Sequence, residues 1–205
     1  MRLKKATADQ DRPSFIEAAR RAQIVECAIE VIAELGFAQA SLARIAERAE
    51  VSTGVISYHF AGKDELIREI GLHVYATGGR FIQPRVDRQN GARTALLSYI
   101  AASVGFVAAY PGYARTMMSI VLAGRSQLYD QSIEEPRWTG YRTILEWGQR
   151  EGAFRPFDVP AMVATIVAAL NQVPQQLAAR PGLDLEAYGR ELVEIFDRAT
   201  RAAET

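Results

Sequence analysis

The chain of 205 residues is expected to fold as an all-α protein, with a small N-terminal three-helix unit joined to a larger helical body. Three observations predict this. Apolar residues recur three and four apart along most of the chain, the spacing of one helix face. Alternation with a period of two, the mark of a half-buried strand, is scarce. Gly and Pro cluster at intervals that separate helical stretches of ordinary length, as at Pro111-Gly112 and Pro181-Gly182.

The first helix follows Pro13-Ser14, where Ser14 and Glu17 have the spacing of a capping box. Ile24, Cys27, Ala28, Val31, Ile32 and Leu35 then form one apolar stripe, and Gly36 is expected to end the helix in a left-handed conformation. Ser41 should cap a short second helix with Leu42, Ile45, Ala46 and Ala49 facing inward. A tight turn at Glu50-Val51-Ser52 leads to a short third helix ending near Tyr58. A fourth opens at Gly62-Lys63-Asp64-Glu65, with acidic residues where the helix dipole favours them, and is expected to fade at Gly78-Gly79. Five further helices are expected at about 92–109, 112–123, 133–151, 159–179 and 183–203. The division that follows is a flexible arm over 1–16, a helix-turn-helix domain over 17–76, and a larger domain over 77–205.

Composition bounds the function. A hydrophobic fraction of 49% and a charged fraction of 23% suit a globular domain with a sizeable core. Cys27 is the single cysteine, so no intramolecular disulfide forms. No apolar stretch near the start has the form of a signal peptide, and the run over 161–170 is too short to span a bilayer, so a cytoplasmic protein is expected. His59 and His73 are the two histidines, and no metal-spaced cluster, nucleophile elbow or glycine-rich phosphate loop is present. Neither an enzyme, a metal site nor a cofactor is implied. Formal net charge is zero, and residues 1–66 hold nine Lys and Arg against ten Asp and Glu. Any nucleic-acid binding must therefore rest on a locally arranged surface and not on bulk positive charge.

Residues 41–60 have the spacing of a helix-turn-helix. Ala46 is small where two helices cross, and Val51 and Ile56 plug the angle between them. Ser52 stands at the N-cap of the second helix, whose short length projects Thr53, Gly54, Ser57 and Tyr58 outward. Small hydroxylated side chains there can approach base edges, and a tyrosine can reach phosphates.

Residues 24–66 resemble the DNA-binding region of the TetR family, named for the tetracycline repressor. The resemblance rests on Glu34-Leu35-Gly36-Phe37, on Ser41-Leu42-Ala43-Arg44-Ile45-Ala46, on Val51, Ser52, Gly54 and Ile56, and on Tyr58-His59-Phe60 followed by Lys63, Glu65 and Leu66. It implies a ligand-responsive transcriptional regulator, a repressor that binds a pseudo-palindromic double-stranded operator as a homodimer and is released by a small lipophilic effector. By that resemblance Ser41, Ser52, Thr53, Gly54, Ser57, Tyr58 and His59 line the DNA-facing side, and Lys63 touches phosphate. Two positions depart from the family pattern. Glu50 replaces the glycine usual in the turn, where a positive φ would cost about 1 kcal/mol. Ser57 stands where many relatives carry tyrosine. Arg2, Lys4, Lys5 and Arg12 give the arm a potential for added contacts, although a plain tail is the simpler expectation.

In the larger domain the family's effector cavity implies ligand contacts from Phe106, Tyr110, Met117, Trp138 and Tyr141. Each of these is equally an ordinary core residue. The segment Asn171-Gln172-Val173-Pro174-Gln175-Gln176 interrupts an apolar helix with amides around a proline that cannot donate to the carbonyl of Leu170. A kink is expected there. Asn171 and Gln175 either offer polar contacts to an effector or face solvent at a bend. Val163, Ile166, Val167 and Leu170, with Tyr188, Leu192, Ile195 and Phe196, exceed one buried stripe and are expected to form a four-helix dimer interface. The alternative is that both helices are simply buried in one subunit. The rival function is an architectural DNA-binding protein without an effector.

Overall fold

The computed structural model describes residues 15–125 and 131–202, with helix but no side-chain detail at 131–136. The arm over 1–14, with Arg2, Lys4, Lys5 and Arg12, and the Ser14 side of the capping box lie outside the described residues. The helices run α1 (Phe15–Leu35), α2 (Leu42–Arg48), α3 (Thr53–His59), α4 (Lys63–Val86), α5 (Ala92–Ala109), α6 (Pro111–Leu122), α7 (Gln131–Arg150), α8 (Val159–Asn171), α9 (Val173–Ala179) and α10 (Leu185–Thr200). No strand occurs among the described residues; Phe154 and Arg201 make one isolated antiparallel bridge. The architecture is all-α.

Helix ends follow from capping chemistry. Ser41 Oγ accepts from the Arg44 amide and Ser52 Oγ from the Val55 amide, which satisfies one orphan donor in each short helix. Gly36 ends α1 at φ 79°. The end of α2 is a Schellman motif: the Val51 amide donates to the Ala46 carbonyl at 2.9 Å and the Glu50 amide to Glu47 at 3.2 Å. This motif puts Glu50 at φ 54°, in the left-handed region expected for it.

Two apolar cores result. The first gathers Ile24, Ala28, Ile32, Ile45, Ile56, Phe60, Leu66 and Ile70 from α1–α4 and takes in Ile120 of α6. The second gathers Leu96, Tyr99, Ile100, Tyr141, Leu145, Ile166 and Phe196 from α5, α7, α8 and α10. α4 serves both, carrying Val74 in the first and Val86 in the second. It does not fade at Gly78-Gly79 as expected. Gly78 lies against the Phe106 ring, where a Cβ would stand 3.6 Å from Cε1, and the helix continues through Pro84 to Val86. The contact with α5 supports the helix where propensity alone would end it.

α8 also departs from expectation. The helix ends at Asn171, Gln172 sits between, and α9 begins at Val173 with Pro174 in its first turn. The proline falls where a missing N–H leaves no bond unmade, so the segment breaks into two helices and does not bend as one.

The same helix requires a correction at the expected dimer face. Val163, Ile166, Val167 and Leu170 are only 1%, 0%, 3% and 5% exposed within one chain. They turn inward onto the second core and, unlike Leu192 and Phe196, do not line the groove between α8 and α10. The outward row of α8 is Ala161, Met162 and Thr165. α5 is long and apolar enough to cross a membrane by composition, but it lies against α4 and α10 and joins α10 through Arg93 and Asp197.

Candidate nucleic-acid interface

α3 is a two-turn helix held from behind. Ile56 is fully buried and Phe60 nearly so, so one face is fixed in the first core. Removing a side chain like Ile56 costs about 2–5 kcal/mol. Arg21 of α1 secures the end of α3: its guanidinium donates to the His59 carbonyl, lies 4.4 Å over the Phe60 ring, and pairs with Glu65 at 3.4 Å and Glu69 at 3.1 Å. Three helices are joined by one side chain. Glu65 Oε2 in turn accepts from the Ala61 amide at 2.6 Å, and that bond holds its carboxyl below the usual range.

With its back fixed, α3 presents Ser52, Thr53, Gly54, Ser57 and Tyr58 to solvent. Tyr58 is 74% exposed, and its hydroxyl donates to Glu17 at 3.2 Å. Ser41 is exposed at the start of α2. His59 is half-buried, with its ring edge-on to Tyr58 at 5.0 Å. Seven of the eight residues expected on the DNA-facing side thus gather around α3 and the N-terminus of α2. Lys63 is placed differently. Its ammonium donates to the Phe37 carbonyl at 3.0 Å and sits 4.0 Å over the Phe37 ring, and burial pushes its pKa down. It joins the start of α4 to the loop after α1.

Spacing did not single out Arg44. It is exposed in the first turn of α2, and its guanidinium makes no hydrogen bond or ion pair among the described residues. The signal was available: Arg44 lies three residues after a cap and off the Leu42, Ile45, Ala46 stripe. Arg48, one turn on, is tied to Glu30 and Glu34 at 2.6–3.1 Å.

Three helices meet at a polar cluster behind this face. Glu26 of α1 accepts from the Tyr113 hydroxyl of α6 and lies 2.7 Å from His73 Nε2 of α4. Thr116 of α6, fully buried, donates to the Ile29 carbonyl of α1 at 2.8 Å. The N-terminal helices are therefore joined to the C-terminal body by polar as well as apolar contacts.

The residues expected to bind an effector fall into two groups. Phe106 and Tyr110 join Phe81 and Tyr113 in an aromatic cluster with ring centroids 4.9–6.3 Å apart, and Met117 packs on the first core. Trp138 and Tyr141 belong to the second core, where Tyr141 is fully buried and stacks on Tyr99 at 4.0 Å. Asn171 and Gln175 are exposed. Asn171 nevertheless accepts from Arg137 at 2.9 Å, which draws it to the second group. A separate groove of about 480 Å³ lies between α8 and α10, lined by Phe157, Met162, Thr165, Leu192, Ile195 and Phe196 among others. Leu192 and Phe196 form its floor, and Ile195, 53% exposed, its rim.

Comparison with known proteins agrees with this geometry. Residues 24–70 match the family model described as bacterial regulatory proteins, tetR family. The HTH-type transcriptional regulator BetI 1 of Chromohalobacter salexigens is 50% identical over 48 residues, 23% of this chain and 24% of that protein. BetI of Burkholderia ambifaria is 34% identical over 85 residues, 41% and 44% of the two chains. The chain thus covers less than half the length of these relatives. The fold match extends further. The fatty acid degradation regulator FadR of Bacillus halodurans has a TM-score of 0.79 at 18% identity, covering 95% of this chain and 97% of its own. The transcriptional regulator FadR of Bacillus subtilis, solved in complex with stearoyl-CoA, has a TM-score of 0.75 at 21% identity over 85% and 96%. Residues 24–70 thus carry the sequence pattern of the tetR family's N-terminal domain, and the chain as a whole shares the fold of these two regulators.

Proposed function

We propose that the protein is a cytoplasmic transcriptional regulator, a repressor that binds a pseudo-palindromic operator as a homodimer and is released by a small lipophilic effector. The observation that carries this reading is the exposed row Ser52, Thr53, Gly54, Ser57 and Tyr58 on a helix locked from behind by Ile56 and Arg21. A rigid, two-turn helix bearing small hydroxylated residues suits entry into a major groove, with Ser41, Tyr58 and His59 at its margins. Arg44 adds a free cation for phosphate beside it. Lys63 acts through the loop at Phe37.

The second chain of the dimer is proposed to seat on the α8–α10 groove. Ile195, Leu192, Phe196 and Tyr188 contribute from α10, and Met162 and Thr165 replace the inward residues of α8. An apolar groove with an exposed isoleucine on its rim is costly to leave in water. Two-fold pairing would place two α3 helices on one side of the dimer.

The switch is read as a population shift. Effector favours a state in which the two α3 helices are wrongly spaced, by as much as its affinity differs between the two states. α4 spans both cores, and α6 bonds to α1 through Tyr113 and Thr116, so both helices can carry the change.

The deciding experiment is binding of the purified protein to its own upstream intergenic DNA at fixed physiological salt, with random DNA as competitor. Retention against excess competitor supports a sequence-specific regulator. Binding no tighter than to random DNA, there and on genome-wide fragments, overturns the reading.

A further inference from the structure

Tyr58, the largest side chain of the row proposed to meet DNA, already has an acceptor within the chain. Its hydroxyl donates to Glu17 Oε1 at 3.2 Å, although the residue is 74% exposed. Glu17 stands in the first turn of α1, one turn before Arg21 on the same helix face. Both side chains reach the end of α3, but in different settings. Arg21 donates to the His59 carbonyl, covers the Phe60 ring and is tied to Glu65 and Glu69 where all three charged groups are half-buried. The bond from Tyr58 to Glu17 lies at the surface. Phe15 and Ile16 beside Glu17 are exposed and belong to neither core. The contact through Arg21 therefore fastens the fold, and the contact through Glu17 is open to exchange.

What it would exchange with follows from the chemistry of the pair. A phenol hydroxyl has one proton to donate. A carboxylate and a phosphate oxygen are both anionic acceptors, and a hydroxyl bonds either of them more strongly than a neutral acceptor. Whichever holds the proton excludes the other from it. Glu17 thus occupies the position on Tyr58 that a backbone phosphate would take. A phosphate arriving at this hydroxyl meets a committed donor and a negative charge 3.2 Å from it.

We infer that Glu17 is a positioning residue that restrains DNA binding: it holds the Tyr58 hydroxyl in the free protein and must be displaced before that hydroxyl bonds a phosphate. This rests on the reading of α3 as the DNA-facing helix and adds to it a residue outside the helix-turn-helix. Its consequence is an affinity below what the α3 row alone would give. A weaker hold on DNA also lets a smaller effector coupling empty the operator.

The test is a double-mutant cycle in the full-length protein, read as binding to the upstream intergenic DNA and to random DNA at one physiological salt concentration. Glu17→Ala is expected to tighten binding by about two- to tenfold, the net worth of one hydrogen bond. The gain should appear on both DNAs, because a phosphate carries no sequence. In a Tyr58→Phe background the same change should give less than half of it. A fluorotyrosine in place of Tyr58 reads the exchange directly: its fluorine resonance should differ between parent and Glu17→Ala in the free protein and coincide on DNA. Equal gains with and without the Tyr58 hydroxyl would mean repulsion through space and no competition. No gain, or a loss, from Glu17→Ala in protein shown to be folded by circular dichroism would mean that Glu17 supports Tyr58. Resonances that still differ on DNA would mean that Glu17 keeps its hold in the complex. Each of these overturns the inference. Random DNA reports the competition too, so the two readings fail separately. Coupling without preference for the upstream DNA rejects the sequence-specific regulator alone, and specific binding without coupling rejects the role of Glu17 alone.

Discussion

Glu50 occupies a backbone conformation that suits glycine, and replacing it gives a sharp test of how the helix-turn-helix is built. The Schellman motif at the end of α2 requires a left-handed residue between Ala49 and Val51, and Glu50 takes φ 54° to supply it. For a residue with a Cβ that conformation costs about 1–2 kcal/mol. Glycine removes the cost but loses about 0.4–1 kcal/mol through its freer unfolded chain. The difference leaves Glu50→Gly more stable by about 0.5–1 kcal/mol. For a chain of this size that corresponds to a rise in Tm of about 1–4 °C. Thermal unfolding by circular dichroism measures it, with two controls. Glu50→Gln removes the charge and keeps the strain, so it should not reproduce the rise. Glu50→Val adds β-branching at a left-handed position and should lower Tm. A Tm for Gly no higher than that for Gln would show that the turn is not strained and that the reasoning is wrong.

Other consequences of the packing are equally open to measurement. Gly148→Ala would place a Cβ within the ring of Phe154, which is 3% exposed, and a cost of about 1–3 kcal/mol is expected in the urea midpoint; an unchanged midpoint counts against this packing. Arg93 holds Asp197 through two bonds of 2.5 and 2.6 Å, which keep its carboxyl below the usual range. Because the folded pKa is lowered, the stabilisation is fully present above the unfolded value of about 3.9 and is lost as pH falls through the folded one. Arg93→Met should therefore lose about 1.5–3 kcal/mol at neutral pH and unfold in acid at a higher pH than the parent; coincident acid midpoints would refute the linkage. Ile195→Glu puts a charge on the rim of the α8–α10 groove, and under the proposed pairing sedimentation should show a dimer for the parent and a monomer for the variant; a variant that stays dimeric moves the interface elsewhere.

The legible part of this chain is the part written in local chemistry. Ser41, Ser52 and Gly36 announce their caps because a hydroxyl or a missing Cβ meets a need set within four residues. The strain at Glu50 is readable for the same reason. What was not legible depends on which neighbour arrives. Gly78-Gly79 looks like a helix end until α5 brings Phe106 against it. The apolar residues of α8 look sufficient for a dimer until the second core takes four of them, leaving Ala161, Met162 and Thr165 facing outward. The bond between Arg137 and Asn171 carried no signal at all, since only the fold brings α7 to the end of α8.

The charge balance of the N-terminal domain, which offers no bulk positive charge to DNA, takes its meaning from where the acids lie. Glu30 and Glu34 are engaged by Arg48, Glu65 and Glu69 by Arg21, and Glu26 by Tyr113 and His73. These acids fasten α1 to α2, α4 and α6, behind the exposed row of α3. Most of these acids are therefore turned away from the face proposed for DNA, where Glu17, accepting from Tyr58, is the carboxylate that the exposed row itself carries. The pairing also means that Arg21 and Arg48 are unavailable to phosphates, so the electrostatic part of binding rests on few cations. Arg44 is one of them, and the proposed dimer would carry it twice. Each phosphate contact contributes about 0.9 to the slope of log K against log salt concentration. Arg44→Ala should thus make the slope shallower by about 1.8 and weaken operator and random DNA alike. Arg48→Ala should leave the slope unchanged and lower stability instead. A slope that responds to Arg48 and not to Arg44 would mean that the pairs with Glu30 and Glu34 open on DNA, and that the acids are not spent as the fold suggests.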